Sequence, residues 1–418
     1  ANYWMEDKLM NAKRWQPNGA VCALTDLADG DGVNVAYFLN GKKSSIEVFK
    51  GGILNGTSIS YYESGAYMSK VIYKEGVRDG QEILYYENGR VKQEAHYSKN
   101  QLHGESRVYF ENGNLEAVEN FRNGQIHGQD IAYSSDGTKI SDTSYSNRLK
   151  HGRELIYFKT GEVKIDAHYS EGQLHGESRL YFENEKLATV ENFRNGKKYG
   201  LDIDYSSDGR KTIEVNYRNN LKQGREVLYH ANGQVKQDAN YSEDLLHGEC
   251  RVYFENGALA TVEYFVDGKK HGRDVDYASN GSKTSDVNYW NGLKHGHELL
   301  YYENGQILEQ LSYLFGQRSG ISNTYYTDGS KESETFYMSD EKRGICKKWY
   351  QSGKLKQAHM HSLNNGKIEG NWKEWYENGS FKLDSSYKDG EKHGITTSYG
   401  VDGTEKLEVY EQGTSLLE

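Results

Sequence analysis

The chain has 418 residues, a formal net charge of −10, 35% hydrophobic residues and one proline, Pro17. An acidic balance without clustered Lys and Arg disfavours nucleic acid as a partner, and no apolar stretch reaches the length of a membrane span. Cys22, Cys250 and Cys346 are too far apart for a disulfide framework or a zinc spacing.

Residues 1–31 carry no regular period. Trp4, Leu9, Met10 and Trp15 are expected to form the apolar side of a short helix or irregular plug, an N-terminal cap over the first strand edge. Asp29-Gly30-Asp31-Gly32 hints at a calcium loop but lacks the later ligands of one. A first residue Ala1 in place of methionine suits either a cleaved export signal or a trimmed chain, and a bacterial periplasm or cell envelope is slightly favoured over the cytoplasm.

From Gly32 a glycine returns every 24 residues, through Gly56, Gly80 and Gly104 to Gly344, and resumes at Gly370 and Gly394 after a two-residue insertion. A second glycine follows nine positions later, as at Gly89 and Gly113, with Glu185 the one break. A period this strict predicts an array whose units are stable only against their neighbours. Numbering each repeat from its glycine as zero, Gln81–Tyr86 is a β-favouring run, Glu87-Asn88-Gly89 a turn, and Arg90–Tyr97 the return strand. The expected fold is all-β: an elongated, twisted ribbon of about 15–16 antiparallel β-hairpins over residues 32–412, with a tail at 413–418.

Parity refines this. Position five is aromatic throughout (Tyr85, Tyr109, Tyr133, Tyr157), and position seventeen nearly so (Tyr97, Phe121, Tyr145). A three-residue turn places opposite each other positions that sum to sixteen. All odd positions then share one face, taken as the core, on which the rings of Tyr109, Tyr133 and Tyr157 are covered. The same register makes Arg107 and Glu119, Arg179 and Glu191, and Arg251 and Glu263 diagonal neighbours on one face.

Three repeat types alternate, so the unit of duplication is 72 residues. Even positions are apolar in two types: Val108, Phe110 and Val118; Leu180, Phe182 and Val190; Val252, Phe254 and Val262; and Leu84, Tyr86, Ile156 and Phe158. These thirteen form the candidate partner-binding patch, the rival reading being that they pack internally or against a dimer mate. Eight histidines directly precede the period glycine, His127, His247 and His295 among them. Because Gln223 and Arg343 share that slot, turn packing is favoured over a metal array. His359 and His361 share a strand face but have no third ligand. No hydrolase, zinc-protease or phosphate-loop motif occurs, so neither catalysis, a cofactor nor a metal is expected.

Tyr85-Tyr86-Glu87-Asn88-Gly89, and Phe121 followed by Asn123-Gly124 and His127-Gly128, resemble the MORN repeat, most closely its bacterial variant in proteins classed as YwqK-type antitoxins. The resemblance implies a β-hairpin ribbon that acts as a scaffold, dimerises, or binds proteins and sometimes lipids. It implies a binding protein that neutralises a toxin or effector, with a structural or surface scaffold as the alternative. The partner is then a protein. Lipid contact is not indicated, and a homodimer is compatible with the pattern.

Overall fold

A computed structural model describes residues 2–13, 15, 19–21, 26–338, 343–362 and 366–416. Its contacts divide the chain into two units, Ala1–Arg210 and Lys211–Glu418. Within each, the described residues form an antiparallel sheet of successive hairpins and no helix.

The hairpin of the repeat at Gly80 shows how the sequence makes the sheet. Strands Val77–Tyr85 and Val91–Ser98 flank a tight turn in which the Tyr86 N–H donates to the Arg90 carbonyl at 2.8 Å and the Gly89 N–H to the Tyr86 carbonyl at 2.9 Å. Gly89 has φ 84°, the left-handed value such a three-residue loop requires at its last position. Between repeats the chain turns on two residues with positive φ, Lys99-Asn100 here and Asn123-Gly124 in the next repeat. Both φ values positive is the pattern that suits the right-handed twist of flanking strands. Connectors are therefore hairpin turns in their own right, and the meander runs on from repeat to repeat. At Gly80 itself φ is 133°, and a Cβ would lie 3.0 Å from Ile72 Cβ, so a side chain here would meet both a strained backbone and a tight neighbour.

The return strand corrects the simple parity reading. Tyr85 opposes Val91, but Leu84 opposes Gln93, so Lys92 is an extra residue bulged out of the ladder. Glu116 is the corresponding extra residue between Leu115 and Ala117. One extra residue reverses the facing of everything after it. Positions thirteen, fifteen and seventeen therefore lie with four, two and zero, and odd positions do not share one face. Positions two and fifteen, directly opposed, make the most buried column: Ala95 with Glu82, Ala239 with Glu226, Ser385 with Thr396 in the neighbouring hairpin. Tyr109, Tyr133 and Tyr157 lie on the other face and are half-buried.

The N-terminal segment also differs from expectation. Asn2–Met5 and Lys8–Ala12 are paired strands rather than a helix, and Ala12 pairs with Leu27 ahead of the first repeat strand. Leu9, Ala12 and Leu27 are buried with Phe49, while Trp4 and Trp15 are exposed. Pro17 and Cys22 lie outside the described residues.

Candidate functional site

Each repeat grips the next through its turn. The Tyr86 hydroxyl donates to the Tyr109 carbonyl at 2.7 Å, 23 residues on, and Tyr302 does the same to Tyr325 at 2.8 Å. The Asn112 amide donates to the Ser135 carbonyl at 2.8 Å, while its own oxygen accepts the Asn114 N–H. The Tyr-Glu-Asn-Gly signature is thus a stitch between repeats: tyrosine and asparagine cap carbonyls of the following turn, and glycine closes its own.

A second device runs along the buried column. A lysine or arginine two residues before the period glycine reaches a carboxylate two residues after it: Arg78 to Glu82 at 3.2 Å, Lys222 to Glu226 and Lys294 to Glu298 at 2.5 Å. The same cation lies over the aromatic ring at position seventeen, Lys222 at 4.8 Å from the Tyr241 centroid and Lys294 at 5.3 Å from that of Tyr313. In two repeats the lysine is shared: Lys198 contacts Glu191 at 2.6 Å and Asp202 at 3.0 Å, and Lys270 contacts Glu263 and Asp274 at 2.6 Å each. Burial opposes the charge of Lys198 but is outweighed by its two carboxylates, which hold its pKa above the usual range. Buried carboxylates are tolerable because a cation meets them.

The bulge separates the sequence-predicted patch. Val108 opposes Ala117, Leu180 opposes Thr189 and Val252 opposes Thr261, whereas Val118, Val190 and Val262 oppose Arg107, Arg179 and Arg251 on the other face. Leu84 and Ile156 fall with the first group, opposite Gln93 and Ile165. Phe110, Phe158, Phe182 and Phe254 occupy the turn position that Tyr86 holds, where their N–H groups close the turn. Leu180 is exposed and the other twelve are half-buried. The three arginines do not meet Glu119, Glu191 and Glu263; they pair along their own strands with Glu105, Glu177 and Glu249 at 2.7, 2.5 and 2.7 Å.

The histidine slot caps the connector turn. His127 Nδ1 accepts the Asn147 N–H and His295 Nδ1 the Phe315 N–H, both at 3.4 Å, and Gln223 accepts the Glu243 N–H at 3.3 Å in the same way. Asp31 accepts the Gly51 N–H at 2.6 Å, a turn contact. His359 stacks on Trp372 at 4.5 Å; burial first, then His361 and Lys348, bring its pKa down to about 4. Cys346 opposes His359 in the register, yet no group of three metal-ligating side chains converges among the described residues. Burial, then Glu263, pushes the Cys250 thiol up to about 11, away from thiolate chemistry.

One column of the repeat changes type along the chain, a feature outside the apolar patch. Position eighteen is Ser98, Arg122, Ser146, Ser170, Arg194, Arg218 and Ser242 in successive repeats, then Val266, Trp290 and Leu314. In the second unit Trp290 is 53% exposed, Leu314 51% and Phe315 58%. The change of type within a strict column was the available signal.

Eight segments match the MORN repeat variant: 54–75, 78–99, 102–123, 174–195, 222–243, 246–267, 294–314 and 368–389. The chain is thus an all-β repeat protein carrying MORN repeat variants along its length, a construction suited to binding and typically non-catalytic. No curated protein matches it. Among solved structures it is similar to that of TcdB2-TccC3-Cdc42, at 11% identity and TM-score 0.16 over 94% of this chain and 25% of the other. The Photorhabdus luminescens Tc holotoxin pore gives 11% identity and TM-score 0.16 over 95% and 24%. The chain spans about a quarter of the length of these structures.

Proposed function

We propose that this chain is a binding protein that neutralises a bacterial toxin or effector by stoichiometric occupation, an antitoxin or immunity protein. The observation that carries the reading is a division of labour in the repeat. Tyrosine, asparagine, lysine and carboxylate columns recur in stitching the sheet, while Trp290, Leu293, Leu314 and Phe315 stand exposed at the connectors of two neighbouring repeats, outside those columns. Repeat arrays of this construction offer a long surface for a macromolecule rather than a convergent pocket for a small substrate.

The test is co-expression with the product of the adjacent gene, in cells that this product alone poisons. The reading expects growth to be restored and a complex of fixed stoichiometry to co-purify. Unrelieved poisoning with no complex would overturn it.

A further inference from the structure

The connectors of the repeats at Gly224, Gly248, Gly272 and Gly296 present an apolar rim. Trp290 pairs with Leu293 across the connector turn, and both are about half exposed, at 53% and 50%. Leu293 reaches toward the next turn, where a Cβ on Gly316 would lie 3.6 Å from its Cδ2; Leu245, 49% exposed, bears likewise on Gly268 at 3.5 Å. Rings continue the surface from one repeat to the next: His271 to Trp290 at 4.5 Å, Trp290 to His295 at 6.5 Å, His295 to Phe315 at 4.8 Å. Phe315 holds φ 46° where other repeats place Asn147, Asn195 or Asn219, residues suited to that conformation. One side of the Phe315 ring rests on His295 and the rest faces solvent, at 58% exposure.

Spacing and charge identify the occupant. Successive rims are separated by two strands, about 10 Å. An α-helix advances that distance in about seven residues, two turns, and presents the same face again. An extended strand covers it in about three residues, an odd number that would turn every second anchor away. At one end of the rim stand Glu243, Asp244 and the 75%-exposed Asp267, the last 3.3 Å from His247, with Lys269 beside them and Lys270 turned to Glu263 and Asp274. That end favours a cationic group and disfavours an anionic lipid surface.

We infer that this rim docks an amphipathic helix of the partner protein, with apolar residues recurring every seven positions and lysine or arginine at the end over Glu243 and Asp267. The inference rests on the binding function proposed above and supplies its surface. The probe is a synthetic helical peptide of about three heptads, with leucines at the heptad anchors and lysines at one end. Calorimetric titration of the full chain should show binding, weakened at least about tenfold, or roughly 1.4 kcal/mol, by combined Trp290→Ser, Leu314→Ser and Phe315→Asn. Each substitution installs a residue that other repeats carry at that column, so the variant should melt as the parent does.

Equal binding by parent and variant, equal binding of a scrambled peptide, or no binding by the parent would overturn the inference. So would a dimer of the parent in sedimentation that the variant abolishes, which assigns the rim to a second copy. Pelleting with phosphatidylcholine–phosphatidylglycerol vesicles that depends on Trp290 would assign it to lipid. If these arms fail while the co-expression test still yields a complex, the rim falls and the binding function stands.

Discussion

The repeats at Gly128 and Gly200 are of one type, and they differ at the position two residues before the period glycine, Ile126 against Lys198. In the later repeat Lys198 bridges Glu191 and Asp202. In the earlier one Ile126 takes the lysine's place, and Glu119 stands opposite Asp130 in the register. Burial raises the pKa of both carboxyls, and a carboxylate neighbour raises each further: Asp130 for Glu119, Asp142 for Asp130. The same backbone therefore holds carboxylates met by a lysine in one copy, where burial still raises the Asp202 carboxyl, and a pair with no lysine between them in the other. The fold tolerates buried carboxylates, and the cation decides whether they contribute stability or cost it.

The sharpest way to break this contrast is Lys198→Met, which would give the later repeat the earlier one's defect with no compensating change. It should destabilise by about 2–3 kcal/mol in urea unfolding, below the figure for a fully buried pair because the lysine is partly solvated. An unchanged midpoint would show that the cluster contributes nothing. The reverse change, Ile126→Lys, should stabilise by about 1 kcal/mol at neutral pH.

Asp130→Asn should give a smaller gain and a distinctive pH dependence. Because the folded carboxyls titrate above their ordinary values of 4.5 and 3.8, the folded state holds more protons than the unfolded one just above that range. The pair's cost is therefore absent below the ordinary values, grows as pH rises through the raised ones, and is fully present at neutral pH. The asparagine variant should gain about 0.5–1 kcal/mol at neutral pH and nothing in acid. A gain independent of pH would assign the effect to packing. Smallest of all, Phe110→Tyr should restore the hydroxyl-to-carbonyl stitch that Tyr86 makes, for about 0.5 kcal/mol. No gain would mean that the ring at this position cannot reach the Tyr133 carbonyl.

Much of the fold was legible in the residues. Period glycines, turn tripeptides and alternating aromatics marked each hairpin, because turn chemistry demands specific residues and so leaves a trace. The bulge left none: Lys92 and Glu116 look like any polar strand residue, and alternation cannot count an unpaired one. The last repeat exposes the rule by exception. Its hairpin pairs without a shift, Tyr399 with Glu405 through Gly394 with Tyr410, so its aromatic falls one position early and Glu411 occupies the expected site. Lys392 still lies over that ring, 4.8 Å from its centroid.

Apolar patterning also hid what matters most at the candidate site. It grouped Val108 with Val118, which the bulge places on opposite faces. It overlooked Trp290 and Phe315, whose signal is a departure from a polar column rather than hydrophobicity as such.

The central claim is action by occupation. It is tested most directly by titrating the purified chain into a fixed amount of the neutralised partner and following that partner's own activity. The account predicts a linear fall to zero at a fixed molar ratio, unchanged by longer incubation. Complete loss at a small fraction of that ratio, deepening with time, would mean turnover and would contradict it.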